Sequence, residues 1–467
     1  MMFKQTMVSW SVASALLVMS GSAAASGFAL IEQSGSGLGN AYAGGAAGAE
    51  DASTIFFNPA GMSRLNGKQV AIAAHAIKPS AKFSGTVTGL APFQTAGTGT
   101  GGDAGSWALV PNAYFAMEVN PQMRVGLGIN APFGLQTEYD SNWVGRFQAI
   151  KSKLETVNLN PSVSYDVNET VSLGAGVSYQ RITGDLTSAA NYAAGVYSAA
   201  MVATAGNAGL SAAAATAASA AGEGEGLSTI SGDDAAWGYN LGLLFKVSPQ
   251  TRVGLAYRSK VEYTLSGTVG FTANRPSAAT LSGLGGAAAA VAAGVAAATA
   301  DGAVTLPITM PDSFSMSGFH QLDDKWDLMG DVTWTGWSVL QQLKIDRSSG
   351  TNLLTVQENW KDTWRVSAGA SYHYSQQWMA RAGIAFDQAP VSDTYRTARI
   401  PDNDRTWLSV GGQYKPSKES ALDFGYAHLF VKDSTIVDMQ GTKGKGDLVG
   451  DYKNSVDILS VQYTLGF

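Results

Sequence analysis

The chain has 467 residues, no cysteine, a formal net charge of −6 and only 14% charged residues. The missing cysteines exclude a disulfide scaffold, and the mild acidity gives no support to nucleic-acid binding. Mean hydropathy is +0.01 with Gly at 55 positions; together these suit a wall that alternates apolar and polar faces better than a helical membrane protein.

The first segment reads as an export signal. Lys4 is followed by a short apolar core, Met7–Met19, and by Ala23-Ala24-Ala25. That order predicts cleavage before Ser26, giving residues 1–25 as a signal peptide. The apolar core is too short for a spanning helix, which needs ~20 residues. Further along, 284–300 is uncharged but made of Ala and Gly, and it reads as an Ala-rich loop or surface helix.

Residues 26–66 do not alternate. Gly, Ala and Ser cluster there, and Asn58-Pro59-Ala60 follows. A compact segment of this kind, inside a wide barrel, would act as a hatch that closes the lumen.

From residue 67 onward, alternating segments arrive in pairs joined by short polar turns. The turns are 119–122, 167–170, 247–250, 321–325, 374–377 and 415–419, rich in the turn formers Asn, Pro and Ser. Six hairpins, a strand near 67–88 and a terminal strand near 452–467 predict fourteen strands over 67–467. Longer connections fall near 89–105, 136–152, 186–233, 269–309, 346–354, 391–403 and 435–451. Short turns on one side and long loops on the other are the asymmetry of an outer-membrane barrel. The two longest loops are rich in Ala, so short extracellular helices are expected there.

Alternation also sets which side chains face inward. Trp364, Val366 and Ala368 alternate against Arg365 and Ser367, and Trp378, Ala380 and Ile384 against Arg381 and Asp387. Charge on the lipid face costs ~2–4 kcal/mol at the bilayer midplane, so Arg365, Arg381 and Asp387 are expected in the lumen. The chain ends on the same pattern. Leu459, Val461, Tyr463, Leu465 and Phe467 share one face, with Ser460, Gln462 and Thr464 on the other. The fold class expected is therefore an all-β membrane protein, a fourteen-stranded antiparallel barrel with an N-terminal hatch in its lumen.

Several motifs together resemble the FadL family of outer-membrane channels for hydrophobic compounds. They are Gly27-Phe28, Ser36-Gly37-Leu38-Gly39, Asn58-Pro59-Ala60, Gly134-Leu135, Leu154-Glu155-Thr156, Trp360-Lys361-Asp362 and Ile400-Pro401-Asp402-Asn403-Asp404-Arg405. The resemblance spans the expected mature chain apart from the Ala-rich loops. It implies passive uptake of long-chain fatty acids or aromatic hydrocarbons, with release through a gap in the barrel wall. It also implies that Phe28 reaches from the hatch into the ligand pocket, and that Asn58, Pro59 and Ala60 hold the hatch to the wall.

The gap is expected where Asn130-Ala131-Pro132-Phe133-Gly134 interrupts the third strand, because Pro132 has no N–H to give a ladder. Where the family's fatty-acid member places basic residues, Leu186 and Val356 stand here. Lys361 and Arg365 are then the candidate partners for a ligand carboxylate, which needs a charge partner once desolvated.

The four histidines are scattered, and no HExxH or GxSxG motif accompanies them, so no enzyme, metal site or cofactor is expected. The expected partners are hydrophobic small molecules, outer-membrane lipid and lipopolysaccharide, and the barrel assembly machinery acting on the C-terminal strand. A hydrophilic porin and a surface adhesive barrel are the competing readings.

Overall fold

The computed structural model describes residues 27–90 and 96–467; the expected export signal and its cleavage site lie outside the described residues. The chain forms one closed antiparallel barrel of fourteen strands, as the turn count implied. β1 is Lys68–Thr88, β2 Ala108–Asn120, and β3 runs as Met123–Asn130 and Gly134–Glu138. β4 is Lys151–Asp166, β5 Val171–Asn191 and β6 Glu225–Lys246. The next four are each interrupted once. β7 is Thr251–Arg258 with Val261–Phe271, and β8 Gly302–Met310 with Ser313–Gln321. β9 is Trp326–Thr335 with Gln342–Arg347, and β10 Asn352–Gln357 with Thr363–His373. β11 is Trp378–Asp387, β12 Arg405–Tyr414, β13 Ser420–Val431 with Ser434–Gln440, and β14 Gly446–Gly466. The first strand pairs with the last from Gln69↔Gly466 to Thr88↔Asp447, which closes the wall.

The alternation places side chains as expected. Leu459, Val461 and Tyr463 are exposed on the outer face while Ser460, Gln462 and Thr464 are buried on the inner one. Such a band of bare Leu, Val and Phe is tolerable only against lipid. Aromatic pairs on the outer surface, Trp326–Tyr372 and Trp378–Tyr414, sit beside the short turns, and Tyr179–Trp237 lies further along the wall. Such rings suit membrane interfaces, where one end is apolar and the other wet. Among the described residues no helix is long and apolar enough to cross a membrane.

Several long connections are shorter than expected from the sequence, although 89–105 and 391–403 lengthen to 89–107 and 388–404. β5 continues to Asn191 and β6 starts at Glu225, leaving 192–224 rather than 186–233. In the same way the gaps 269–309 and 435–451 contract to 272–301 and 441–445, and β14 starts at Gly446 rather than near 452. The extensions are held by cross-strand bonds rather than by a lipid face, so they carry no clean apolar alternation to read. The Ala-rich connections do form helices, α4 (Tyr192–Ala203), α5 (Ala208–Ala220) and α6 (Ala288–Ala298). Their apolar side chains pack into one small core around Tyr192, Val196, Leu281 and Val291.

Residues 27–66 lie inside the barrel as short turns of helix, α1 (Gly35–Leu38), α2 (Gly45–Gly48) and α3 (Thr54–Phe57), ending in a 3-10 turn at Pro59–Arg64. Their backbone touches the wall directly, and wall glycines make that possible. A Cβ added at Gly174 would come within 2.1 Å of the Ala60 nitrogen, and one at Gly254 within 1.9 Å of the Ala46 oxygen. The high glycine count thus has a packing reason: inner positions of the strands must be flat where the inner segment rests.

Candidate functional site

The inner segment is fastened by Asn58-Pro59-Ala60. Asn58 is fully buried; its Nδ2 donates to the Ala46 oxygen at 2.7 Å and to Leu243 of β6 at 3.0 Å. Its Oδ1 accepts from the Ala60 amide at 3.0 Å. A Cβ at Gly242 would sit 1.9 Å from that Oδ1. The motif is therefore both a helix cap and a bond from the inner segment to the wall.

At its other end the segment closes a break in the wall. The β2–β3 ladder runs from Asn120↔Met123 up to Ala113↔Ile129 and stops. Beyond it Ala131, Pro132 and Phe133 leave the strand, and β3 resumes at Gly134 paired only with β4. Pro132, which has no N–H to give a ladder, lies within this interruption. The inner segment occupies the opening. Leu30 donates its amide to the Pro132 oxygen at 2.8 Å, Gly134 donates to Phe28 at 2.9 Å, and Ala29 bridges Phe133. On the β2 side, Asn112 Nδ2 donates to the Glu32 oxygen and the Tyr114 hydroxyl to the Gln33 oxygen, both at 2.9 Å. Residues 28–30 therefore pair by main chain with the kink of β3, and 32–33 are held to β2 by its side chains.

Above this segment lies an apolar pocket lined by Phe28, Leu135, Leu186, Leu265, Ile308 and Leu343 among others. Its charged lining residues are Lys153 and Arg399. Lys153 pairs with Glu155 at 2.8 Å. Arg399, on the loop before β12, is buried and donates Nη1 to the Lys151 oxygen and the Ser152 hydroxyl. Burial pulls its guanidinium down to about 10, with nearby Glu358 opposing the shift. A second cavity lies against Leu30, Ile31, Pro132, Phe133, Trp337 and Arg365.

Phe28 stands between the two spaces. Its ring is 4.7 Å from Trp337, 5.4 Å from Trp360 and 6.2 Å from Phe133, centroid to centroid. Gly27 adopts φ +59, and a Cβ there would lie 2.9 Å from both indoles. The Gly27 amide is held by Asp402 Oδ2 at 2.8 Å. Only glycine fits this position, for conformation and for space.

The expected ligand residues separate under this geometry. Phe28 and Leu186 line the upper pocket and Arg365 the lower cavity. Val356 is half-buried opposite Leu343 on the upper hairpin and is not among the residues lining either space. Lys361 is a correction: it is exposed, in the break between the two halves of β10, and its amide bonds to Pro390. Its parity with Arg365 does not hold because 358–362 leave the strand and reset the alternation. Trp337 and Trp360 ride on the breaks of β9 and β10; the sequence reading missed Trp337, Lys153 and Arg399, and quoted Trp360 in a motif without giving it a role. Gly336, directly ahead of Trp337 in an otherwise alternating stretch, was the available sign of a break.

Comparison with known proteins agrees with this architecture. A family model described as outer membrane protein transport protein (OMPP1/FadL/TodX) matches residues 16–467. Outer membrane protein P1 of Haemophilus influenzae is 35% identical over 429 residues, covering 90% of this chain and 89% of that protein. The long-chain fatty acid transport protein of Escherichia coli K12 is 31% identical over 430 residues, covering 90% and 91%. A crystal structure of a Pseudomonas aeruginosa FadL homologue superposes with a TM-score of 0.80 at 26% identity, covering 94% of this chain and 99% of that one. With a closed barrel, an N-terminal segment packed inside it and these relatives in agreement, the chain belongs to the OMPP1/FadL/TodX family of outer-membrane transport proteins.

Proposed function

We propose that this barrel takes long-chain fatty acids and similar hydrophobic molecules through the outer membrane, and that they leave sideways between β2 and β3. The observation that carries the reading is the broken β2–β3 ladder, filled by residues 28–33 and bordered by a cavity that Pro132 and Phe133 line. A wall opening closed only by a detachable strand offers an apolar molecule a route into lipid that never crosses water. The upper pocket supports the first step. Its lining buries a greasy chain, and Arg399 and Lys153 supply the charge partner that a carboxylate needs. The fatty-acid relative at 31% identity points the same way.

In this reading Phe28 swings away from Trp337 and Trp360 to join the two spaces, and the strand following it then peels from Pro132. Asn58-Pro59-Ala60 stays fixed, so the hatch hinges rather than falls out. Lipopolysaccharide surrounds the outer face, and the assembly machinery takes the chain by the strand ending at Phe467.

Uptake of labelled oleate and toluene, compared in cells with and without the gene, tests the function. Loss of oleate uptake in the deletion strain is the expected result. Equal uptake of both compounds in the two strains would remove transport of either, and loss of toluene alone would turn the reading toward aromatic hydrocarbons.

A further inference from the structure

The lower cavity has a chemistry that the uptake route alone does not require. Arg365 reaches it from β10 with only 6% of its surface exposed. One nitrogen, Nη2, donates to the Ala41 oxygen at 2.8 Å, and the guanidinium stacks 5.0 Å from the Trp407 ring. Its Nε and Nη1 are buried and have no acceptor among the described residues. Arg258 lines the same cavity from β7. Its Nη2 donates to the Phe56 oxygen at 2.9 Å and the group lies over the Phe56 ring, while its buried Nη1 has no acceptor among the described residues. Two carboxylates share the lining. Asp331 accepts from the Ser317 and Thr333 hydroxyls, and Asp387, across the strands from Arg365, does not bond its Nε or Nη1.

A buried guanidinium is stable when its N–H groups meet acceptors, and an anion satisfies several at once. We propose that Arg365, assisted by Arg258, is a second seat for a carboxylate, placed below the aromatic box and beside the wall opening. Ligand would pass from a first seat at Arg399 to this one, with its acid head held in the cavity while its tail lies against Pro132 and Phe133. The ligand class is thereby narrowed to chains bearing an acid. This rests on passage of hydrophobic molecules through the lumen, as argued above.

Binding of oleate and of methyl oleate, which keeps the chain and removes the charge, to the purified full-length barrel tests the seat. The ratio of oleate to methyl oleate affinity is expected to fall about tenfold or more in Arg365→Gln, and to recover in part in Arg365→Lys. A ratio unmoved in Arg365→Gln overturns the seat, whether both affinities drop together or neither drops. Absence of binding of both probes to the unmutated protein would instead overturn the uptake reading, and the seat with it. A second measurement needs no variant: crystals of the unmutated protein grown with 2-bromopalmitate should give an anomalous bromine peak beside Arg365. A peak confined to the upper pocket overturns the seat.

Discussion

Single side chains hold the inner segment in place. Asn58 satisfies two carbonyls and caps the turn after it, so Asn58→Ala leaves the Ala46 and Leu243 oxygens without their donor. The expected cost is about 1–3 kcal/mol. It would be read as a lower unfolding midpoint in detergent, together with greater sensitivity of cells to large antibiotics. Gly242→Ala should act alike through a Cβ 1.9 Å from Asn58 Oδ1; a variant as stable and as tight as the parent would contradict the proposed fastening. At this scale the sequence was informative where a residue has one structural use. Pro132 could be marked because a missing N–H is a local property, whereas Gly27 and Asn58 stood out only through the family motifs that contain them. Arg399 and Lys153 could not, since their shared pocket is assembled by loops and strands far apart in the chain.

The informative elements are the interrupted ones. β3 breaks at Pro132, and β7, β8, β9, β10 and β13 break as well. The β9 and β10 breaks carry Trp337 and Trp360 inward, where they pack on Phe28. Alternation persists on both sides of each break, so counting strands from the sequence succeeded. Carrying parity across a break failed, as Lys361 shows. Pro132→Ala tests the kink at this scale. The new N–H can rejoin a ladder, and one such bond is worth about 0.5–1.5 kcal/mol, enough to bias the opening toward closed. Oleate uptake is expected to fall a few-fold, and unimpaired uptake would count against the kink as a functional element. The helices α4, α5 and α6 gave less to reading. Ala-rich composition announced helix but not the partner each helix packs on, which is the neighbouring helix and loop.

For the whole molecule, the barrel and the inner segment are two parts with different duties. The wall is fixed by an unbroken closure, β1 to β14, over 20 paired positions. The segment inside is held by side-chain bonds, glycine contacts and a few backbone pairs. A filled lumen should give no steady porin-sized conductance in planar bilayers, whereas a variant lacking residues 27–66 should conduct if it folds. Large conductance from the intact chain would favour the hydrophilic porin reading. The barrel was legible because turns, parity and terminal strand all follow one period. The plugging of the β2–β3 gap by residues 28–33 was not, because it depends on main-chain pairing between segments a hundred residues apart.

That plug is the centre of the account, and the absence of cysteine makes it directly testable. Ala29 and Phe133 are bridge partners across it, close enough in Cβ spacing, about 4.5–5.5 Å, for a disulfide after modest adjustment. With Ala29→Cys and Phe133→Cys combined, oleate uptake should be lost, by about tenfold or more, when the pair is oxidised. It should return when the same cells are treated with a reductant. Equal uptake in the oxidised and reduced states would contradict sideways release through this opening.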